Sequence, residues 1–290
     1  MRRHNGGMES MSQPGACPLE PSASNVAEVF AAIDWSRPWL ASVAALGQPM
    51  AAQIVQGMPV SAALNQGLPP ALQAVGLQFV PQDDLPAGVA YEAFIHTERR
   101  VPTRENLHDF FNGLIWLHWP QLKLHLNHLQ AQAIARDGVG GKRGKLRDAI
   151  TVLDENGAIW LADPALVQAL RAKDWPRLMV ELRPLWAQSR LWPVGHALLE
   201  KLVHPRKPMC AHVLCVAWDD AQPERWCSDA VALELDARMA QDLLVSEAVL
   251  ATKPFSPLPV LGVPGWWPSN EELSFYDDPL VFRGPRPTTP

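Results

Sequence analysis

Between Val101 and Gly157 the chain sets His108, Asp109, Asn112, Arg147, Asp148, Thr151, Asp154 and Glu155 among bulky apolar residues, in VPTRENLHDFFNGLIWLHWP and RGKLRDAITVLDENG. Ionisable groups in such surroundings are costly unless they are paired or have a chemical task. A histidine within hydrogen-bond reach of a carboxylate can move a proton, for about 10²–10⁴-fold of acid–base assistance. A guanidinium beside it can hold an anion. These residue types make His108, Asp109 and Asp148 candidate catalytic groups, and Arg104, Asn112 and Arg147 candidate substrate-binding groups. Further on, GHALLEKLVH repeats His196, Glu200 and His204 at i, i+4 and i+8 on one helical face. His196 and Glu200 could ligate a divalent metal. The HExxH spacing is absent, however, and Pro205 ends the helix at His204.

The elements that must position these groups follow from period and punctuation. Thr103 reads as the N-cap of a helix over 104–118, on which Leu107, Phe110, Phe111, Leu114 and Leu117 form an apolar stripe. The free N–H groups and dipole of its first turns favour an anion. Pro120 opens a second helix running to about Asp137, with His125, His128 and Gln132 on a solvated face. Residues 149–162 read as a hairpin whose tight turn is Asn156-Gly157. Asp154 and Glu155 are then solvated turn residues, and Asp148 and Thr151 face opposite sides of the first strand.

Elsewhere short helices are expected at 26–33, 38–46, 49–57, 60–66, 164–172, 175–187, 193–203 and 230–248. Strands are expected at 77–81, 89–95 and 210–218. Twenty-eight prolines punctuate the chain and keep its elements short. The tail from Lys253 is rich in proline and aromatics, and Trp266, Trp267, Phe275, Tyr276 and Phe282 anchor it as an extended strap. The fold class is therefore α+β, with mostly short helices around a small mixed or antiparallel sheet that includes the hairpin. The expected organisation is a disordered segment over 1–25, one globular domain over 26–285 and a frayed tail at 286–290.

In its 290 residues, 48 % are hydrophobic and 19 % charged, a globular balance, and the net charge is −5. Such a charge gives no reason to expect a nucleic-acid partner. The cluster Lys142, Arg143, Lys145 and Arg147 reads as a solvated loop. No apolar run reaches the ~18 residues of a membrane span, and the N-terminus lacks a signal-peptide core, so a cytoplasmic protein is expected. Met8 and Met11 are alternative starts to Met1. On a strand, Cys210 and His212 face one way and Cys215 the other, so with Cys227 they make packed thiols rather than a zinc set. There is no G-x-S-x-G elbow, and the glycines of DGVGGKRGK fit neither phosphate-loop pattern.

PTRENLHDFFNGLIWLHWPQLKLHLN, RGKLRDAITVLDENGA, GHALLEKLVHP and VLGVPGWWPSN with FYDDPLVFR together resemble a bacterial family, the domain of unknown function 3025, over roughly residues 28–285. Positions that correspond to that family's pattern are Arg104, His108, Asp109, Asn112, Lys123, Asn127, Arg147, Asp148, Asp154, Glu155, His196 and Glu200. The resemblance implies bacterial origin and relatedness but carries no activity with it. His118, His125, His128 and His204 fall outside the pattern.

Two functions are compatible with these residues. One is a hydrolase-type enzyme whose His/Asp/Arg site acts on a small anionic substrate, with or without a divalent metal. The other is a non-catalytic binding or scaffold protein in which the same groups form a buried structural network. An open pocket holding His108, Arg147 and His196 favours the first; a closed, fully satisfied network favours the second.

Overall fold

The computed structural model describes residues 23–138, 144–217, 229–240 and 245–285. The expectations for 1–22 and 286–290, and those for Lys142, Arg143 and Cys227, fall outside these residues. Four helices open the described chain: α1 (Ala23–Ala31), α2 (Ala41–Val55), α3 (Val60–Asn65) and α4 (Pro70–Ala74). A parallel pair of short strands, β1 (Gln78–Pro81) and β2 (Arg100–Thr103), brackets α5 (Tyr91–Glu98). Helices α6 (Leu107–His118), α7 (Pro120–Asp137) and α8 (Lys145–Asn156) follow, then β3 (Gly157–Ala162) and α9 (Pro164–Ala172). The remainder comprises β4 (Arg190–Pro193), α10 (His196–Lys201), β5 (Cys210–Ala217), α11 (Asp229–Ala240), α12 (Glu247–Ala251) and β6 (Phe255–Pro259). The larger sheet has the order β4-β3-β5-β6, with β3 and β5 parallel and both outer pairings antiparallel. The fold is α+β, helix-rich around small mixed sheets. No helix among the described residues is long and apolar enough to cross a membrane.

Helix α6 is the hub of the interior. Every residue from Asp109 to Leu117 on it is buried, and one continuous apolar cluster runs from Phe30 through this helix to Phe282. Its cap is Asn106, whose side-chain oxygen accepts from the Asp109 N–H at 2.8 Å. Thr103, the expected cap, instead ends β2 and donates its hydroxyl to Val101 O. Helix α7 runs from Pro120 to Asp137, as its proline start and period indicate.

The expected hairpin at 149–162 is replaced by helix α8 running directly into β3. Leu146, Ala149, Ile150 and Leu153 are its buried residues, and their i, i+3, i+4, i+7 spacing is helical. Asn156-Gly157 is a helix exit, and Gly157 has φ −81°, so positive φ is not the reason for the glycine. Close approach is. A Cβ on Gly157 would lie 2.3 Å from Leu153 O, and one on Gly195 would lie 2.5 Å from Gly157 N. The Val194 and Gly195 N–H groups both donate to Gly157 O. These contacts fix the start of α10 against the end of α8.

Of residues 89–95, expected as a strand, those from Tyr91 belong to α5, because Tyr91, Phe94 and Ile95 recur at i, i+3, i+4. The expected helix at 175–187 is a π-turn (Arg177–Glu181) followed by a 3₁₀ segment with Pro184 in its first turn. That at 230–248 is divided between α11 and α12. Beyond β6 the tail lies over the body: Phe275, Tyr276 and Phe282 are buried, and their rings meet edge-on. Cys210 and Cys215 are free thiols on β5, half-buried.

Candidate active site

Helices α5, α6, α7, α8 and α10 enclose a cavity of about 530 Å³. Arg104, His108, Asp109, Asn112, Arg147 and His196 all line it, so six of the candidate residues converge. Asp148 is not among the lining residues; one position round from Arg147, it leaves the Arg147–Thr151–Asp154 face of α8. It does not join His108. Glu200 reaches the site through His108.

One wall of the cavity is a chain of polar contacts. His108 Nδ1 meets Glu200 Oε2 at 2.9 Å, and His108 Nε2 meets His196 Nε2 at 3.0 Å. The two imidazoles are perpendicular, 4.5 Å between centroids. Behind His196, its Nδ1 lies 3.7 Å from Asp154 Oδ2. Asp154 Oδ1 in turn accepts from Lys123 Nζ, which also donates to Asn112 Oδ1 at 2.8 Å and lies over the Trp116 ring. Asn112 Nδ2 donates to the Tyr91 hydroxyl at 3.2 Å.

The electrostatics separate the two histidines. The Glu200 hydrogen bond raises the pKa of His108 above its ordinary value, and the same contact lowers that of Glu200. Burial drives His196 down to about 4, against the opposing pull of Asp154. Burial pushes the Asp154 carboxyl up, but Lys123 and His196 outweigh it and the net shift is downward. Burial likewise raises Glu92 and, strongly, Tyr91. His108 is therefore the stronger base of the pair. With Nδ1–H on both rings, each facing a carboxylate, the two Nε2 lone pairs face one another and can bind one proton between them.

Asp109 does not orient His108. Its carboxylate accepts from Arg104 N at 2.7 Å, Nε at 3.0 Å and Nη2 at 2.8 Å, which braces the start of α6. Arg104 is thereby neutralised. Arg147 differs: it forms no ion pair among the described residues, its Nε is buried without a partner, and Nη1 only grazes Gly138 O at 3.5 Å. His196 and Glu200, expected as a metal pair, both contact His108. Among the described residues no group of three or more His, Cys, Asp or Glu side chains is arranged to hold a metal.

Residues 77–286 match the family described as "Protein of unknown function (DUF3025)". The chain belongs to this family. The match begins at β1, so helices α1–α4 precede it, whereas the four sequence segments suggested a start near residue 28. No curated protein and no solved structure matches the chain.

In this DUF3025 member, sequence reasoning placed Asp154 and Glu155 in a solvated turn, yet both line the cavity. Reading α8 at a helical period would have put Arg147, Thr151 and Asp154 on one face. Lys123 and Asn127, named only through the family pattern, are also cavity residues, as are Tyr91, Glu92 and Gln130, which carried no signal in the sequence. His118, His125 and His128 stay outside it; His128 Nδ1 meets His96 Nε2 at 3.1 Å, and His125 Nε2 meets Val245 O at 3.1 Å.

Proposed function

We propose that the protein is a hydrolase-type enzyme acting on a small anionic substrate in the α5–α8/α10 cavity. The observation that carries this reading is the carboxylate-backed pair His108–His196 opening on a cavity that also holds Arg147, which forms no ion pair among the described residues. His108 side chain is about one-third exposed, whereas that of His196 is only 8 % exposed. A water entering between the rings gives a proton to His108 Nε2, and Glu200 stabilises the imidazolium. The hydroxide bonds to the electrophilic centre, the bond to the leaving group breaks, and the proton held by the pair goes to that group. His196, the weaker base, is the better donor for that return. Lys123 and Asn112 hold Asp154 behind His196.

A metal-assisted variant rests on the same two atoms. Two facing Nε2 donors with carboxylates behind their Nδ1 atoms are a donor type that divalent cations accept. The assay therefore includes arms with EDTA and with added zinc or manganese.

The test is a panel of phosphate monoesters, carboxylate-bearing esters and N-acyl amino acids, run on the wild type and His108→Gln. Turnover is expected to rise with pH through the raised pKa of His108 and to fall at least 10²-fold in the variant. Turnover that persists in His108→Gln, or none on any compound in any metal arm, overturns the proposal.

A further inference from the structure

The two histidines of the pair are not backed alike. His108 Nδ1 is closed onto Glu200 Oε2 at 2.9 Å. His196 Nδ1 is buried without a hydrogen-bond partner, and burial keeps water and ligands from it. Asp154 Oδ2 faces it at 3.7 Å, beyond the ~3.2 Å reach of a hydrogen bond. A buried polar atom left open beside a carboxylate is costly, so something must hold that carboxylate away. The backbone does not. The Val194 and Gly195 N–H groups both donate to Gly157 O, which already ties the end of α8, with Asp154, to the start of α10, with His196.

The difference lies in what else each carboxylate serves. No lysine or arginine pairs with Glu200 among the described residues, and neighbouring Lys201 donates to Asn156 Oδ1 instead. Asp154 Oδ1 accepts from the buried Lys123 Nζ. That ammonium is itself fixed from α6: it donates to Asn112 Oδ1 at 2.8 Å and lies 5.3 Å from the centre of the Trp116 ring. Asn112 in turn is held by the Tyr91 hydroxyl at 3.2 Å. Lys123 therefore cannot follow Asp154 toward His196.

We propose that Lys123 is a positioning residue that holds Asp154 off His196, so that of the two histidines only His108 has a closed bond to a carboxylate. A proton bound between the two Nε2 atoms then resides on His108, where Glu200 answers its charge, because the charge behind His196 is already answered by Lys123. The other charged groups that act on His108 are Asp109 and Arg104, and these pair with each other. That this order makes His108 the base and His196 the donor of the return step rests on the hydrolytic reading above; the hydrogen-bond pattern does not.

The test counts closed bonds. An imidazole N–H bonded to a buried carboxylate gives a low-field proton resonance that exchanges slowly with water, and nitrogen-15 labelling assigns it to its ring. The wild type should show one from this pair, belonging to His108. Lys123→Gln replaces the ammonium by a neutral amide and should gain a second, from His196. A crystal structure of that variant should show the gap to Asp154 Oδ2 closing from 3.7 Å to about 3 Å. Adding Asp154→Asn should remove the second resonance again. A buried ion pair with a purely fastening role would add no bond when broken. A single resonance in folded Lys123→Gln, or a second one that survives Asp154→Asn, overturns the inference. So does a His196 resonance in the wild type, which decides the matter even if Lys123→Gln fails to fold. Two closed bonds in a Lys123→Gln variant whose parent turns over no compound contradict the hydrolytic reading alone; one closed bond in the variant of an active enzyme contradicts this inference alone.

Discussion

Two polar networks lie in apolar surroundings here, and they are built on opposite principles. Under the C-terminal strap, Asn270 is fully buried and donates to Leu261 O at 2.8 Å and Val263 O at 2.7 Å. The Tyr276 hydroxyl donates to Gly262 O at 3.0 Å, and Arg183 serves Asn270, Tyr276 and Glu271. None of these side chains leaves a buried polar atom unmet. Three residues that line the cavity, Asn127, Gln130 and Arg147, carry such atoms, beside two histidines whose affinities for a proton are pulled apart. The strap network closes its valences and the cavity network does not, which is the pattern the proposed binding role requires.

Substitutions should separate the two. Asn270→Leu strips two buried carbonyls of their donor and should lower folding stability by about 4 kcal/mol in urea unfolding. It should leave the histidine pair intact. A loss under ~1 kcal/mol would mean that the strap network fastens nothing. At the other extreme, Arg147→Gln removes a cation with no ion pair among the described residues, so stability should change by less than about 0.5 kcal/mol while the proposed anion binding is lost. A large destabilisation by Arg147→Gln would make the cavity a second fastening network and dissolve the contrast.

That the tail is anchored over the body was legible in the sequence from its large aromatics, but its path beyond β6 is not extended: it turns through 3₁₀ segments at Val260–Gly262, Pro268–Glu271 and Leu273–Asp277. Helix α7 was legible from Pro120 and its period, and β5 from its apolar run. The convergence of His196 and Glu200 on His108 joins residues about ninety positions apart, and no local pattern encodes it. Helix α8 was obscured by ITVL, whose contiguous apolar residues suit a buried strand equally well, and by Asn-Gly, a strong turn signal. The glycine serves the approach of Gly195 rather than a hairpin. That single misreading hid Asp154, since a helix carries it inward on the face of Arg147 and Thr151, where a turn would have left it in water. Asp109 shows the reverse: its position beside His108 in sequence suggests a catalytic dyad, but the cap geometry turns it to Arg104.

The central claim is that His108 and His196 share one proton and hold it unequally. Nitrogen-15 NMR titration of the histidine side chains, in the wild type and in Glu200→Gln, measures this directly. His108 should titrate above 6.5 and fall toward it when Glu200 is replaced, while His196 stays neutral down to about 4. The stability linked to His108 is then complete below pH 6.5 and lost as pH rises through its raised pKa. That linked to neutral His196 is complete above 6.5 and lost as pH falls toward 4. Two histidines titrating independently near 6.5, indifferent to Glu200, would contradict the account.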